Sequence, residues 1–315
     1  MGPPRPIIAP FPTLLEAPTD SPVTVPYRAI PSLVYLRAEV PSSHPSAAIL
    51  GEERMGAGVA VSPGSVLTAH YLVLGASRVE VVALDGRANP MARVSLDHES
   101  GLALLTVERP ELQPATLAST DVQPGLPVFL LTCTGEQQRR GATGHVASVG
   151  PFEAFWEYML DRAIMTTAVN PGLAGGPLLD VQARVVGIVS LGLAAVGRYS
   201  LAIPVELFAS RRALLESDQP MPAAERRAWI GFYCQGLEGG VTVTGVVPGG
   251  PGEAAGLQRG DLVLSVDGRT VTTLRELYGA LWRRGPGETV DVQILRDEAI
   301  HVVEITAGDR YDFYR

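Results

Sequence analysis

Short apolar runs alternate with turn residues from Arg28 to about residue 203, and this spacing limits the fold more than any other feature of the chain. Each run is rich in Val, Leu, Ile and Ala, and Gly, Pro, Asp or Ser separates it from the next. The strand-like segments are 32–40, 56–68 (two strands around Pro63-Gly64), 79–84, 92–96, 102–107, 127–133, 144–149, 184–190 and 199–203. Strands of this length at this spacing predict a β-barrel or sandwich rather than βαβ units.

The composition excludes several classes of function. The 315 residues suggest two or three domains, and the net charge of −8 argues against a nucleic-acid partner. Every basic residue is Arg, so a Ser–Lys dyad and a lysine Schiff base are both excluded. Cys133 and Cys234 fall in different predicted domains, and the five histidines are scattered. We therefore expect no cofactor and no metal site.

Residues 1–27 are rich in proline and predict an extended N-terminal arm. They lack the uninterrupted apolar core of a secretory signal, and no run of 18 apolar residues predicts a transmembrane segment. The sequence as given thus predicts a cytoplasmic location. The alternative is an exported, periplasmic protein from which an upstream signal was trimmed.

The most specific motif is the run Asn170–Leu179, Asn-Pro-Gly-Leu-Ala-Gly-Gly-Pro-Leu-Leu. Its glycines indicate sharp turns and a close backbone approach that a Cβ would prevent. The run resembles the nucleophile loop of trypsin-like serine proteases, above all of the HtrA/DegP-like family, where a serine stands in place of Ala174. The resemblance implies a retained oxyanion-hole loop, with backbone donors at Gly172 and Ala174, from which the attacking hydroxyl is missing.

Residues 225–308 resemble an HtrA-type PDZ domain. The runs Val246–Leu257 and Arg259–Gly268 match its strands and turns, and Thr273 with Glu276 predicts a capping box before a helix. The resemblance implies a mainly β chain, a trypsin-like double β-barrel followed by one PDZ domain. The predicted boundaries are 1–27 for the arm, 28–216 for the trypsin-like (pseudo)protease domain, 217–224 for the linker, 225–308 for the PDZ domain and 309–315 for the C-terminal tail.

All three triad positions of the family are replaced. By the family's spacing the histidine falls on Tyr71, the aspartate on Gly101 and the serine on Ala174. His70 stands one residue early and is a candidate displaced base. Asp97 or Glu99, which precede Gly101, could reach inward, but we interpret both as solvated turn residues. We therefore predict no catalytic residue at these positions.

The PDZ-like segment carries the predicted peptide site. The run Arg227–Phe232 matches the family's carboxylate-binding loop, whose N–H groups bind a free C-terminus while Arg227 adds charge nearby. Apolar side chains of this loop and of the following helix would line the pocket. The predicted peptide-binding residues are Arg227, Trp229, Ile230, Gly231, Phe232, Leu277 and Leu281.

Two functions from different classes follow from these observations. The first is an HtrA-like pseudoprotease of protein quality control, a non-catalytic scaffold or regulator that binds protein C-termini or unfolded peptide segments. The alternative is a serine-type endopeptidase with a rearranged active site using His70, and a histidine-based metal binder is a third. The resemblance also raises a homotrimer held by N-terminal aromatics, with Phe11 and Tyr27 as candidates.

Overall fold

The computed structural model describes residues 28–119, 121–193, 197–237 and 239–315. These residues form two closed β-barrels followed by a smaller antiparallel sheet with its own core. The predicted fold class, a trypsin-like double β-barrel followed by one PDZ domain, is confirmed. The predicted N-terminal arm, with Phe11 and Tyr27, lies outside the described residues.

The first barrel closes in the order β1-β2-β3-β6-β5-β4, with antiparallel neighbours. Its strands are β1 (Leu33–Glu39), β2 (Glu53–Ser62), β3 (Ser65–Ala69), β4 (Arg78–Val82), β5 (Ala88–Asp97) and β6 (Leu102–Val107). Strand β1 ends with buried and exposed residues in alternation, as expected for a strand with one face toward a core.

The second barrel closes in the order β10-β11-β12-β9-β8-β7. Its strands are β7 (Pro127–Cys133), β8 (Arg139–Ala154), β9 (Tyr158–Thr166), β10 (Pro177–Leu179), β11 (Val185–Gly192) and β12 (Ser200–Pro204). Strands β8 and β9 remain paired as far as Ala154 and Tyr158, so that the turn 155–157 lies at the end of a long hairpin. This turn contacts the PDZ domain.

The PDZ sheet has the order β14-β15-β16-β18-β19, with β17 paired to β16. Its strands are β13 (Ala228–Trp229), β14 (Phe232–Leu237), β15 (Gly240–Val246), β16 (Leu262–Val266), β17 (Arg269–Thr270), β18 (Thr289–Arg296), β19 (Ala299–Thr306) and β20 (Gly308–Asp309). Because β13 pairs with β20, the C-terminal tail begins next to the predicted carboxylate-binding loop.

The helices are short and connect or cover the sheets. They are α1 (Ala47–Leu50), α2 (Val205–Glu216), α3 (Pro251–Ala254), α4 (Leu274–Leu281) and α5 (Arg310–Phe313), with 3-10 turns at Ile30–Ser32, His70–Leu72 and Ala223–Glu225. Helix α4 begins with the predicted capping box, in which Thr273 caps the N–H of Glu276 and the Glu276 carboxylate accepts from the Thr273 N–H. No helix within the described residues is both long enough and apolar enough to cross a bilayer.

Candidate functional site

Tyr71, the residue on which we predict the family's triad histidine to fall, contacts the second barrel. Strand β3 ends at Ala69, and the following 3-10 turn directs the Tyr71 hydroxyl across to β11. There it donates a hydrogen bond to the carbonyl oxygen of Ser190, at 2.7 Å. Burial raises the pKa of Tyr71 to about 12, so the phenol stays protonated at neutral pH and cannot act as a base.

The ring of His70 is directed toward β9 and the PDZ domain. Its Nδ1 lies 3.2 Å from the Gly101 carbonyl oxygen, and its ring meets that of His98 edge-on, with centroids 5.5 Å apart. Burial, followed by the charge of Arg310, lowers the pKa of His70 to about 4. His70 is therefore neutral at physiological pH, with Nδ1–H donated to the carbonyl.

The space at the aspartate position is occupied by another side chain. Gly101 has φ +75°, and a Cβ at this position would lie 2.5 Å from the Tyr158 hydroxyl oxygen. That hydroxyl donates to the Ser100 carbonyl at 2.8 Å. Tyr158, from the start of β9, thus fills the space that a side chain at position 101 would need.

The interpretation of Asp97 and Glu99 as solvated turn residues is wrong. Asp97 is fully buried, accepts from the Ser100 hydroxyl at 2.6 Å and pairs with Arg211. Glu99 accepts from Arg227 of the PDZ domain at 2.7 Å. Asp97 is buried and Glu99 is half-buried because α2 and the PDZ domain cover this turn, which the local sequence does not indicate.

The retained nucleophile loop is held by its own residues and by the barrel strands. The Gly172 N–H donates to the Asn170 side chain at 3.1 Å, and the Ala174 carbonyl accepts from the Ala57 N–H at 2.7 Å. Gly175 has φ +92°, and a Cβ there would overlap the Ala57 carbonyl oxygen. Of the two predicted oxyanion donors, Gly172 and Ala174, the N–H of Gly172 is hydrogen-bonded to Asn170 within the loop.

The predicted carboxylate-binding loop of the PDZ domain has a carboxylate in it. Glu157, from the turn between β8 and β9, accepts from the N–H groups of Ile230 at 2.9 Å, Gly231 at 2.7 Å and Phe232 at 3.3 Å. Burial raises the pKa of Glu157, against the opposing effects of Arg310 and the three amides. The loop therefore coordinates a buried acidic side chain of the first domain.

The other predicted peptide-binding residues fall into two groups. Ile230, Phe232, Leu277 and Leu281 are buried in the PDZ core. Trp229 is buried against Phe313 of the tail, with ring centroids 4.5 Å apart. Arg227, expected to place its charge beside a bound carboxylate, instead contacts Glu99 and lies over the Trp282 ring at 4.3 Å.

The prediction missed Glu157 and Tyr278. The aromatic-dense run 152–160 marked this segment as unusual, but no sequence signal joins it to a loop more than 70 residues away. Tyr278, on the apolar face of α4, donates to the Ala154 carbonyl at 2.6 Å and accepts from the Glu157 N–H at 3.1 Å. Its place in the apolar stripe of the helix gave no sign of a polar role.

A cavity of about 320 Å³ lies between Tyr71 of the first barrel and the PDZ loop at Trp229 and Phe232. Its walls are mainly apolar, and the lining includes Tyr71, Leu191, Trp156, Trp229 and Tyr233. Within the described part of the chain, no group of three or more His, Cys, Asp or Glu side chains is arranged to hold a metal ion. The cavity therefore suits an apolar or aromatic segment better than a small charged ligand.

These elements define a trypsin-like pair of β-barrels joined to one PDZ domain. Sequence models of two families match the chain, the trypsin-like peptidase domain over residues 56–188 and the PDZ domain over residues 228–306. The chain is similar to DegP-like proteins: it is 29% identical over 280 residues to the probable periplasmic serine endoprotease DegP-like of Halomonas elongata, an alignment that covers 82% of this chain and 57% of that protein. The corresponding protein of Hahella chejuensis is 28% identical over 81% of this chain and 58% of its own length.

The chain spans somewhat more than half the length of these curated relatives. Among solved structures, the serine endoprotease from Yersinia pestis matches with a TM-score of 0.57 and 24% identity, over 93% of this chain and 99% of that one. The HtrA-type protease AlgW with decapeptide matches with a TM-score of 0.56 and 23% identity, over 92% and 99%. At these identities the structural likeness shows the fold.

The prediction of a cytoplasmic location is wrong. The similar proteins of Halomonas elongata, Hahella chejuensis and Marinomonas sp. are each named as probable periplasmic endoproteases. The prediction rested on the composition of the first residues, which carries no information about a segment outside the sequence given.

Proposed function

We propose that this HtrA/DegP-like chain binds peptide segments of partner proteins without cleaving them. The observation that carries the proposal is the set of residues at the triad positions, since Ala174 has no oxygen with which to attack a carbonyl. Tyr71 holds its proton, and the orienting position at Gly101 is filled by Tyr158. An acyl-transfer mechanism at this loop lacks its nucleophile and its base together.

We propose that the PDZ domain is the part of the chain that binds the partner. Three consecutive N–H groups, those of Ile230, Gly231 and Phe232, converge on one carboxylate, which is the geometry that a chain's free C-terminus requires. Hydrogen bonds to a charged acceptor contribute about 1.5–3 kcal/mol each. A solved HtrA-type protease of the same fold is described with a bound decapeptide, which supports a peptide as the class of ligand.

The second candidate is a serine-type endopeptidase with a rearranged active site using His70. It is favoured by the names of the curated relatives, which are serine endoproteases. The neutral His70 ring, with Nδ1 donated to Gly101, leaves Nε2 as the atom that would accept a proton. Its pKa of about 4 makes it a weak base, and the mechanism also needs a hydroxyl that Ala174 does not supply.

One experiment separates the two candidates. The full chain is incubated with unfolded casein and, in parallel, with a serine-directed fluorophosphonate, alongside a chain carrying His70→Gln. We expect no cleavage and no label from either protein. Cleavage that is lost both on labelling and in the His70→Gln variant would establish the endopeptidase and overturn the main proposal.

We also propose that the protein is exported and that it assembles as a homotrimer. The names of the curated relatives support export. The trimer is proposed from the resemblance to HtrA-like proteins, with the N-terminal aromatics Phe11 and Tyr27 as its candidate contacts. Fractionation of the native cells and light scattering of the purified chain would test the two proposals separately. Recovery of the protein in the cytoplasmic fraction would reject export, and a monomeric mass would reject the homotrimer.

A further inference from the structure

The turn between β8 and β9 lies in the groove of the PDZ domain, between strand β14 and helix α4. Its Glu157 carboxylate takes all three N–H groups of the carboxylate-binding loop. Two residues earlier, the Phe155 carbonyl accepts from the Cys234 N–H of β14 at 2.8 Å. A carboxylate in the loop and a backbone carbonyl on the edge strand are the two contacts by which an extended C-terminal peptide joins such a sheet.

The opposite wall of the groove also holds this turn. The Tyr278 hydroxyl of α4 bridges the Ala154 carbonyl and the Glu157 N–H. Beside it, Arg275 of α4 pairs with Glu153 of β8 at 2.7 Å. The turn is thus fixed from both sides in the position that a bound peptide would take.

The conformation of Glu157 requires strong support from its surroundings. Its φ of +54° is in the left-handed region, which a glutamate rarely adopts, and only 1% of the residue is exposed. Burial disfavours its charge, and the three amides offset that cost. A strained residue with a buried charge persists where a specific set of contacts holds it, as these do here.

We propose that Glu157 is an internal substitute for a partner's C-terminal carboxylate and that a partner binds by displacing it. This inference rests on the proposed function, because it gives the regulation of the same PDZ site. The free chain is closed, with the turn 155–157 as the resident ligand. A partner must therefore have a C-terminus that outcompetes an intramolecular carboxylate, which excludes weak and amidated ligands.

Displacement would also reach the barrel face. Tyr158 directly follows Glu157 in the chain, fills the space beside Gly101 and donates to the Ser100 carbonyl. If the turn leaves the groove, the ring of Tyr158 has to move with it.

The test measures peptide affinity in the full chain. The probe is a fluorescent pool of decapeptides ending in Val, Leu, Ile or Phe with a free carboxylate, and the same pool amidated is the ligand control. Glu157→Gln keeps the size of the side chain but places an NH₂ group against N–H donors, so the resident ligand is weakened. Glu153→Gln is the matched control, since it removes a charge from the same interface without touching the loop.

We expect the pool to bind Glu157→Gln at least about tenfold more tightly than the unchanged chain, and Glu153→Gln within about twofold of it. Tyr278→Phe loosens the turn 155–157 without altering the carboxylate-binding loop, so it should give an intermediate gain in peptide affinity. It replaces Glu157→Gln in the test if that variant folds poorly. In the unchanged chain, saturating peptide should speed hydrogen exchange at the Glu157 amide while Ile230, Gly231 and Phe232 stay protected.

The outcomes distinguish this inference from the function on which it rests. Equal affinities of the unchanged chain and Glu157→Gln for the free-carboxylate pool would overturn the inference and leave peptide binding in place. Peptide binding without faster exchange at Glu157 would overturn it as well. Absence of binding to every variant, with or without a free carboxylate, would reject the proposed function and the inference together.

Discussion

The nucleophile loop and the PDZ loop differ in where the acceptors of their backbone N–H groups come from. The nucleophile loop uses a neighbour in sequence, because the Gly172 N–H donates to Asn170 two residues away. The PDZ loop uses Glu157, 73 to 75 residues away in the other domain. The first arrangement persists as long as the barrel is folded, whereas the second depends on the docking of two domains and can be reversed.

The comparison shows that a loop can keep its shape for packing reasons alone, without being ready to bind a ligand. The glycines of the nucleophile loop are required by packing, since the surrounding backbone leaves no space for a Cβ at Gly175 or at Gly176. The loop can therefore retain the family's shape whether or not it binds anything. The PDZ loop already holds a carboxylate, so its capacity for an anion is visible in its contacts.

The largest expected effect concerns the packing of the nucleophile loop. Gly175→Ala should lower the free energy of unfolding by about 3 kcal/mol or more, because the new Cβ overlaps the Ala57 carbonyl oxygen at a positive φ. Gly125→Ala is the control, with φ +88° and no atom within 4 Å of the added Cβ, and should cost about 1 kcal/mol. Urea unfolding measures both. Equal losses would mean that the loop is not held by packing.

A second effect concerns the pH dependence of the free energy of unfolding, to which His70 contributes. The pKa of His70 is about 4 in the folded chain and near 6.5 when unfolded, so the unfolded state binds more protons over this range. Stability should therefore fall as the pH falls from about 6.5 to 4, by about 2 kcal/mol between pH 7 and pH 4.5 from this residue. The measurement is urea unfolding at both pH values, in the unchanged chain and in His70→Gln. The same pH dependence in both proteins would show that His70 is not the cause.

A smaller effect should distinguish the PDZ loop, which depends on contact between the domains, from the nucleophile loop, which does not. Arg227 joins the PDZ domain to Glu99 of the barrel but is 41% exposed, so its loss should cost only about 0.5–1 kcal/mol. Arg227→Ala should speed hydrogen exchange at Ile230–Phe232 by a few-fold and leave Gly172 unaffected. Arg284→Ala, which removes an ion pair inside the PDZ domain, is the control and should change neither loop. Faster exchange at Gly172 in Arg227→Ala would remove the distinction between the loops.

No effect at all is expected from restoring the nucleophile alone. Ala174→Ser should leave casein cleavage at the background of the unchanged chain, because Tyr71 keeps its proton and the triad residues of such enzymes act as a unit. The readout is release of labelled casein fragments, with a fluorophosphonate-treated sample as the control for contaminating protease. Turnover in this single variant would identify His70 as a working base and favour the endopeptidase.

The sequence predicted the regular parts of the molecule well, for physical reasons that are local. Helix α4 starts at the predicted capping box because Thr273 and Glu276 satisfy each other's amides within one turn. Strands β6 and β7 have the predicted bounds, since a short apolar run between turn residues is sufficient to define a strand. The absence of a side-chain hydroxyl at position 174 also follows from the sequence alone.

The contacts that decide how the site is arranged could only be seen in the tertiary structure. Whether Glu157 is solvated or enters the PDZ loop depends on the length of the β8–β9 hairpin and on how the domains pack, and neither leaves a periodic signal in the sequence. The burial of Asp97 and the filling of the space at Gly101 by Tyr158 arise in the same way. Local patterns specify which backbone groups are available, but the partner of each group is set by residues that are distant in the chain and become neighbours only when the barrels and the PDZ domain are folded together.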